Sequence, residues 1–253
     1  MKTNLNIFLI FSLLAIFCII TISNIINYSY AEFFSNVINL GATSSLLGLC
    51  IVNNFRVGMH GGHGAAWILF TLSIATWFIA ERMWELNMLT HADLFWFSGY
   101  VFYFIFGIMY LKPFAHQISK QIIVISSLVV VPIFIAVFFT IEWQSISHTD
   151  MIIASYPLVD AIMLIPSIIG LTLFFKGRVR FSWTLLLIGM TMFVMADYGF
   201  MYFDSIEEYY PGHIVDVPYI WAYVIFIGGI LANINLFQKR DKNKRFNDQN
   251  LMK

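Results

Sequence analysis

Four ionisable residues stand inside hydrophobic runs of the chain: Glu81, Arg82, Asp160 and Asp197. A charge in the bilayer interior is costly unless paired or hydrated, so such residues turn toward a bundle interior or a wet cavity. One Arg cannot neutralise three acids. Either a carboxyl keeps its proton, or a metal ion, a proton pathway or a cationic ligand supplies positive charge. The alternative is an Arg–Asp–Glu network tying helices together, its spare lone pairs met by Tyr156, Tyr198 and water. Glu81, Arg82, Asp160 and Asp197 together form the expected intramembrane polar site.

An outer shell of polar residues surrounds these four on the same side of the membrane. It comprises Glu85, His91, Asp93, Asp204, His213 and Asp216, joined by Glu142, His148, Asp150, Glu207 and Glu208. Glu81 and Glu85 are spaced i, i+4 and share a helix face. Histidines and carboxylates are ligands for Zn²⁺ or Cu²⁺, but no local spacing such as HExxH marks a metal site. Metal and cofactor are therefore left open, and solvated acidic loops are the plainer reading. Trp77, Trp84, Trp96, Trp143, Tyr209, Tyr210, Tyr219 and Trp221 crowd the same side. An interfacial aromatic belt accounts for most of them, a minority lining a cavity. On the opposite side, His60-Gly61-Gly62-His63-Gly64 reads as a polar turn into a helix.

Several chemistries are excluded. No Lys lies deep in an apolar run, which rules out a retinal Schiff base. No nucleophile elbow, phosphate-binding loop or dinucleotide fingerprint is present. Asp160 and Asp197 lack the GxGD pattern of aspartyl intramembrane proteases, so no enzymatic activity is expected. Cys18 and Cys50 both sit in apolar runs without metal-ligand spacing, which argues against a disulfide framework.

The elements that carry these residues are eight apolar runs, near 7–26, 33–53, 64–85, 93–111, 121–141, 151–175, 181–204 and 215–237. A bilayer core of ~30 Å takes ~20 residues of helix. The chain is 60% hydrophobic and 11% charged, against about a quarter charged in soluble domains. Thirteen of the fourteen Lys and Arg residues fall at the N-terminus, in alternate gaps or in the tail, Arg82 being the exception. Twelve of the fourteen acids lie on the other side. Cytoplasmic loops carry the excess of Lys and Arg, so both termini are expected in the cytoplasm and the acids outside. A basic inner face then contacts anionic lipid, and nucleic acid is not an expected partner. Residues 1–238 read as one integral membrane domain, and 239–253 as a basic tail, disordered or lying on the lipid surface. Pro132 and Pro166 sit inside runs and are expected to kink their helices, the second opening space below Asp160.

The second half of the chain echoes the first. Trp67 precedes Glu81 by 14 residues, as Trp183 precedes Asp197. Asp93 precedes Tyr100 by 7, as Asp216 precedes Tyr223. Gly48 precedes Arg56 by 8, as Gly170 precedes Arg178. The matches suggest duplicated four-helix units, 1–119 and 120–238, in parallel orientation. Lys2, the first apolar run and Ser29-Tyr30-Ala31 also fit a signal peptide with its cleavage site. The repeat needs run 1 as the counterpart of run 5, so its retention is expected.

The stretch Trp77 to Tyr100, the stretch Tyr156-Pro157-Leu158-Val159-Asp160-Ala161, and Trp183 to Tyr202 with Ala196-Asp197-Tyr198 resemble one kind of membrane region. It is the multi-span sensory region at the N-terminus of many bacterial GGDEF/EAL and histidine-kinase proteins. The resemblance covers about residues 60–225 and implies an input module that senses something at or in the membrane. It assigns no ligand, and puts Glu81, Asp160 and Asp197 at the family's acidic positions. These residues carry no GGDEF or kinase sequence, so a signal would pass to a separate protein.

The expectation is thus an all-α polytopic membrane bundle of eight transmembrane helices in the cell membrane. The expected role is a non-enzymatic sensor-like or accessory protein with an outward-facing polar site, a separate signalling protein or other membrane subunits being its partners beside the lipid bilayer. A small secondary transporter coupled to protons or cations, and a structural subunit of a membrane complex, are the alternatives. The apolar reading of the inner half-spans counts against transport.

Overall fold

The computed structural model of the protein describes residues 2–141 and 147–251, the side chains of 2, 3 and 237–251 excepted. These residues form eight α-helices and no strand: α1 (Lys2–Ile26), α2 (Tyr28–Val57), α3 (Gly61–Glu85), α4 (Leu89–Leu111), α5 (Lys120–Thr140), α6 (His148–Leu173), α7 (Arg180–Ser205) and α8 (Asp216–Leu251). All eight are long and apolar enough to cross a membrane, the architecture of a multi-pass membrane protein. Glu142 and Trp143 lie outside the described residues, as do the side chains of the basic tail.

The chain marks its own helix ends. The Asn27 side chain accepts from the backbone N–H of Ser29 at the start of α2, and Ser119 does the same for Ile122 at the start of α5. At α6 Ser147 and Asp150 form a reciprocal capping box, each satisfying an amide the helix leaves open. Pro132, Pro157 and Pro166 lie within α5 and α6, whose helical backbone continues past them. Gly107 of α4 lies so close to the Pro166 ring that a Cβ there would strike it. α8 runs through Leu251, so the backbone of the tail is helical.

Contacts between helices trace a closed circuit. α2 packs on α3, α3 on α4, α4 on α6, α6 on α7, α7 on α8, and α8 back on α2. α1 lies outside this ring against α2 and α8, and α5 lies outside it against α6. The connections at 27, 86–88 and 206–215 share one end of the bundle, called here the acidic end. The basic end carries 58–60, 112–119, 174–179 and both termini.

Large rings fill the middle of the circuit toward the basic end. Phe106 stacks parallel to Trp183 at 6.0 Å between centroids, and Trp67 lies 5.3 Å from Phe106. Phe70 packs edge-on against Phe106 at 5.1 Å and against Phe226 at 6.0 Å. Such edge-to-face and offset contacts add about 0.5–1.5 kcal/mol per pair beyond area burial. Small residues admit the rings: a Cβ on Gly170 would strike the Trp183 indole. Neutral polar ties cross this half. Asn233 donates to Asn53 at 2.8 Å, and the Ser182 hydroxyl donates to the Gly229 carbonyl at 2.7 Å.

Candidate functional site

At the acidic end the ring is not filled. A cavity of about 480 Å³ opens there, walled by all six ring helices and by the loop residues Tyr209 and Pro211. Among the described residues α1 and α5 contribute nothing to it. Its floor is Trp77, Phe193 and Tyr223, all buried, and its mouth includes Leu89, which is 48% exposed, and His148.

Tyrosines from other helices hold the carboxylates in place. The Tyr223 hydroxyl of α8 donates to Glu81 Oε1 of α3 at 2.7 Å, and Asn39 of α2 donates to Oε2 at 3.2 Å. Tyr100 of α4 donates to Asp197 Oδ2 of α7 at 3.1 Å, and Tyr219 of α8 donates to Oδ1. Higher up, Tyr156 of α6 donates to Asp93 of α4 at 2.5 Å. Asp216 of α8 accepts from the Ser35 hydroxyl of α2 at 3.4 Å, from the Tyr209 hydroxyl at 3.2 Å and from the Gly212 amide at 2.8 Å. The bonds from Tyr223, Tyr100, Tyr219, Tyr156, Asn39 and Ser35 join different helices, those from Tyr209 and Gly212 tie the loop to the start of α8, and together they give buried polar atoms partners.

Gly212 also explains how the long loop closes. Its φ of +86° is in the region that favours glycine, and a Cβ there would strike the backbone of Ala31 and Glu32. Its carbonyl accepts from Asn24 at 2.8 Å, while Tyr210 donates to the Asn24 side chain at 2.6 Å. The loop is thereby tied to α1 and α2. Around it, burial holds the Tyr209 phenol well above its ordinary value, beside Asp216. Burial pushes the His213 imidazole below its ordinary value, with Glu208 opposing.

The four residues singled out from the sequence do not form one network. Arg82 grips Glu85 of its own helix at 2.6 and 2.5 Å and reaches the Asn39 side-chain oxygen at 2.9 Å. Asn39 is thus the bridge between Arg82 and Glu81. Asp197 and Asp160 lie together on the other flank, without Arg82. Asp160 is 0% exposed and lies beside Asp197 and Tyr100 but outside the cavity lining, and neither of its oxygens makes a hydrogen bond of ordinary geometry. The expected partners Tyr156 and Tyr198 are corrected: Tyr156 serves Asp93, and Tyr198 pairs with Thr140 at 3.0 Å.

Of the outer shell, Glu85, Asp93, Asp204 and Asp216 line the cavity together with His148, whereas His91 and His213 do not. No group of three or more His, Cys, Asp or Glu side chains converges on a point among the described residues. The aromatic belt is revised too. Trp77, Trp84, Trp96, Tyr209 and Tyr219 face the cavity, while Trp221 donates to the Leu13 carbonyl at 3.0 Å. Sequence reasoning missed Asn39, Tyr100, Tyr219 and Tyr223 as site residues. A phenol at seven residues from an acid, in Asp93–Tyr100 and Asp216–Tyr223, was the available signal. Searches against protein-family models, characterised proteins and solved structures find no match to this chain.

Proposed function

We propose that the chain is a non-enzymatic, sensor-like protein of the cell membrane. It binds a small ligand from outside in the acidic-end cavity and reports occupancy to a separate protein. The observation that carries this reading is a cavity open at one end and closed below. Pockets of about 300–1,000 Å³ with mostly apolar walls and a few fixed polar groups suit small ligands. A transporter needs a path to the other side, and the aromatic packing of Trp67, Phe106, Tyr110 and Trp183 stands in that path.

The acidic end is the outer one on this reading, because the basic residues cluster at the other end with both termini. Sensing also fits the resemblance noted above. Two parallel four-helix units form the bundle, and the contacts support this in crossed pairs. Tyr100 reaches from α4 to Asp197 of α7, as Tyr223 reaches from α8 to Glu81 of α3. α4 packs on α6 with Asp93 bonded to Tyr156, as α8 packs on α2 with Asp216 bonded to Ser35. α1 and α5 are the outlying members of each unit. The cavity then lies on the axis relating the two.

Purification from native membranes in mild detergent, followed by mass spectrometry, tests the role. A stoichiometric soluble regulator or a constant set of membrane subunits is the expected result. Recovery of the chain alone, with cation flux in vesicles that Asp197→Asn abolishes, would overturn the sensor reading in favour of transport.

A further inference from the structure

We propose that the ligand of this cavity is a small organic cation, an amine or quaternary ammonium bearing an apolar portion. The inference deepens the binding role just described and rests on it. The lining carries six carboxylates and, among the described residues, no Lys or Arg. Arg82 pairs with Glu85 from behind the wall, which leaves five lining acids: Glu81, Asp93, Asp197 and Asp216, held by tyrosines, Asn39, Ser35 or the Gly212 amide, and Asp204. Hydrogen-bond donors hold a carboxylate in place without cancelling its charge. A carboxylate has about four acceptor sites, so a second, cationic partner has room to bind.

The walls select among cations. Ten aromatic side chains line the space. Trp84, Trp96 and Phe200 are chained at the mouth, with Trp84–Trp96 centroids 5.6 Å apart and Trp84–Phe200 at 6.0 Å. Tyr156 continues the chain from Trp96 at 5.8 Å. The faces of such rings attract a cation, most strongly where water is excluded, and cages of this kind recognise alkylammonium groups. A bare metal ion wants several ligands converging on one point, and the acids here are spread around the walls instead. An anion would face the carboxylates without a positive partner.

Asp160 is an independent observation pointing the same way. It is fully buried behind the cavity lining, beside Asp197 and Tyr100, and neither of its oxygens makes a hydrogen bond of ordinary geometry. Two carboxylates in one dry place repel when both are charged, and a cation seated against Asp197 relieves this. The account therefore places the charged group of the ligand low in the cavity, near Asp197, and its apolar portion among the tryptophans of the mouth.

The test is titration of the purified full chain in lipid nanodiscs, followed by tryptophan fluorescence and calorimetry. The probes are benzyltrimethylammonium, its uncharged carbon analogue neopentylbenzene, benzoate, calcium and zinc. Saturable binding of benzyltrimethylammonium, absent for benzoate, is expected. Asp197→Asn should weaken it by about tenfold or more, and Trp84→Leu by a few-fold. Should Asp197→Asn fail to fold, Asp204→Asn at the half-buried mouth is expected to weaken binding as well. Equal binding of neopentylbenzene, or tighter binding of benzoate or either metal, overturns the cation assignment and leaves the binding role standing. No saturable binding of any probe overturns both.

Discussion

The two ends of the same six-helix ring are built differently from similar residues. Toward the basic end, Trp67, Phe70, Phe106 and Trp183 close on one another and the glycines let them in. Toward the acidic end, Trp84, Trp96, Tyr156 and Phe200 stand around a space. Aromatics in the first half have neighbours on every side and hold the helices together. Those in the second have carboxylates beside them and an open face. The difference teaches that aromatic content does not distinguish a core from a binding site, whereas the polar groups among the rings do. The closed half has neutral ties such as Asn53–Asn233 and Ser182–Gly229, and the open half has acids held by phenols.

Truncating a ring in each half gives the sharpest contrast. Phe106→Ala, fully buried in the closed half, should cost about 3–5 kcal/mol of stability. Phe200→Ala in the cavity wall should cost about 1–2 kcal/mol, since the space beside it is already empty. Equilibrium unfolding in mixed micelles measures both, and equal losses would erase the distinction between the halves.

Asp160 offers the next largest effect, with the opposite sign. A buried carboxyl without hydrogen bonds destabilises the fold by about 1–3 kcal/mol. Asp160→Leu should therefore raise the melting temperature while weakening ligand binding. A lower melting temperature would show that Asp160 is a structural tie after all. In the closed half, Asn53→Ala strands the Asn233 amide and should cost about 1–2 kcal/mol. The double variant Asn53→Leu with Asn233→Leu should recover most of that loss, and the pair is measured as a double-mutant cycle.

The smallest expected effect is pH dependence at the acidic-end loop. Burial lowers the His213 proton affinity in the folded protein, against an ordinary value of about 6.5. The unfolded chain then takes up the proton first. Stability at His213 is full above that value and declines as pH falls below it. Melting curves between neutral and mildly acidic pH should show this decline, reduced in His213→Gln. A variant with an unchanged pH profile would assign the decline to other groups.

Much of this architecture was legible in the sequence. Eight apolar runs become eight helices because length and hydrophobicity suffice to specify a membrane span, and Asn27, Ser119 and Ser147 mark boundaries locally. The acids Glu81, Asp160 and Asp197 were visible because charge is rare in such runs. What each one touches was not visible. Tyr100 meets Asp197 across 97 residues and Tyr223 meets Glu81 across 142, contacts set by helix packing rather than by any local period. The Arg82–Glu85 pair is local, at i, i+3, and the i, i+4 spacing of Glu81 and Glu85 drew attention away from it. The split of the four charged residues into two flanks, and the unpartnered state of Asp160, needed three dimensions.

The central claim is a chamber open only at the acidic end. It is tested most directly by cysteine accessibility in oriented vesicles, with Cys18 and Cys50 replaced. The reagents are a trimethylammonium methanethiosulfonate and its anionic sulfonate counterpart. Ile220 lines the cavity, and Ile230 lies deeper on α8, buried in the closed half. The account predicts that Ile220→Cys reacts from the acidic-end side alone, faster with the cationic reagent, and that Ile230→Cys reacts from neither side. Reaction of Ile230→Cys from the basic-end side, or an inert Ile220→Cys, would contradict it.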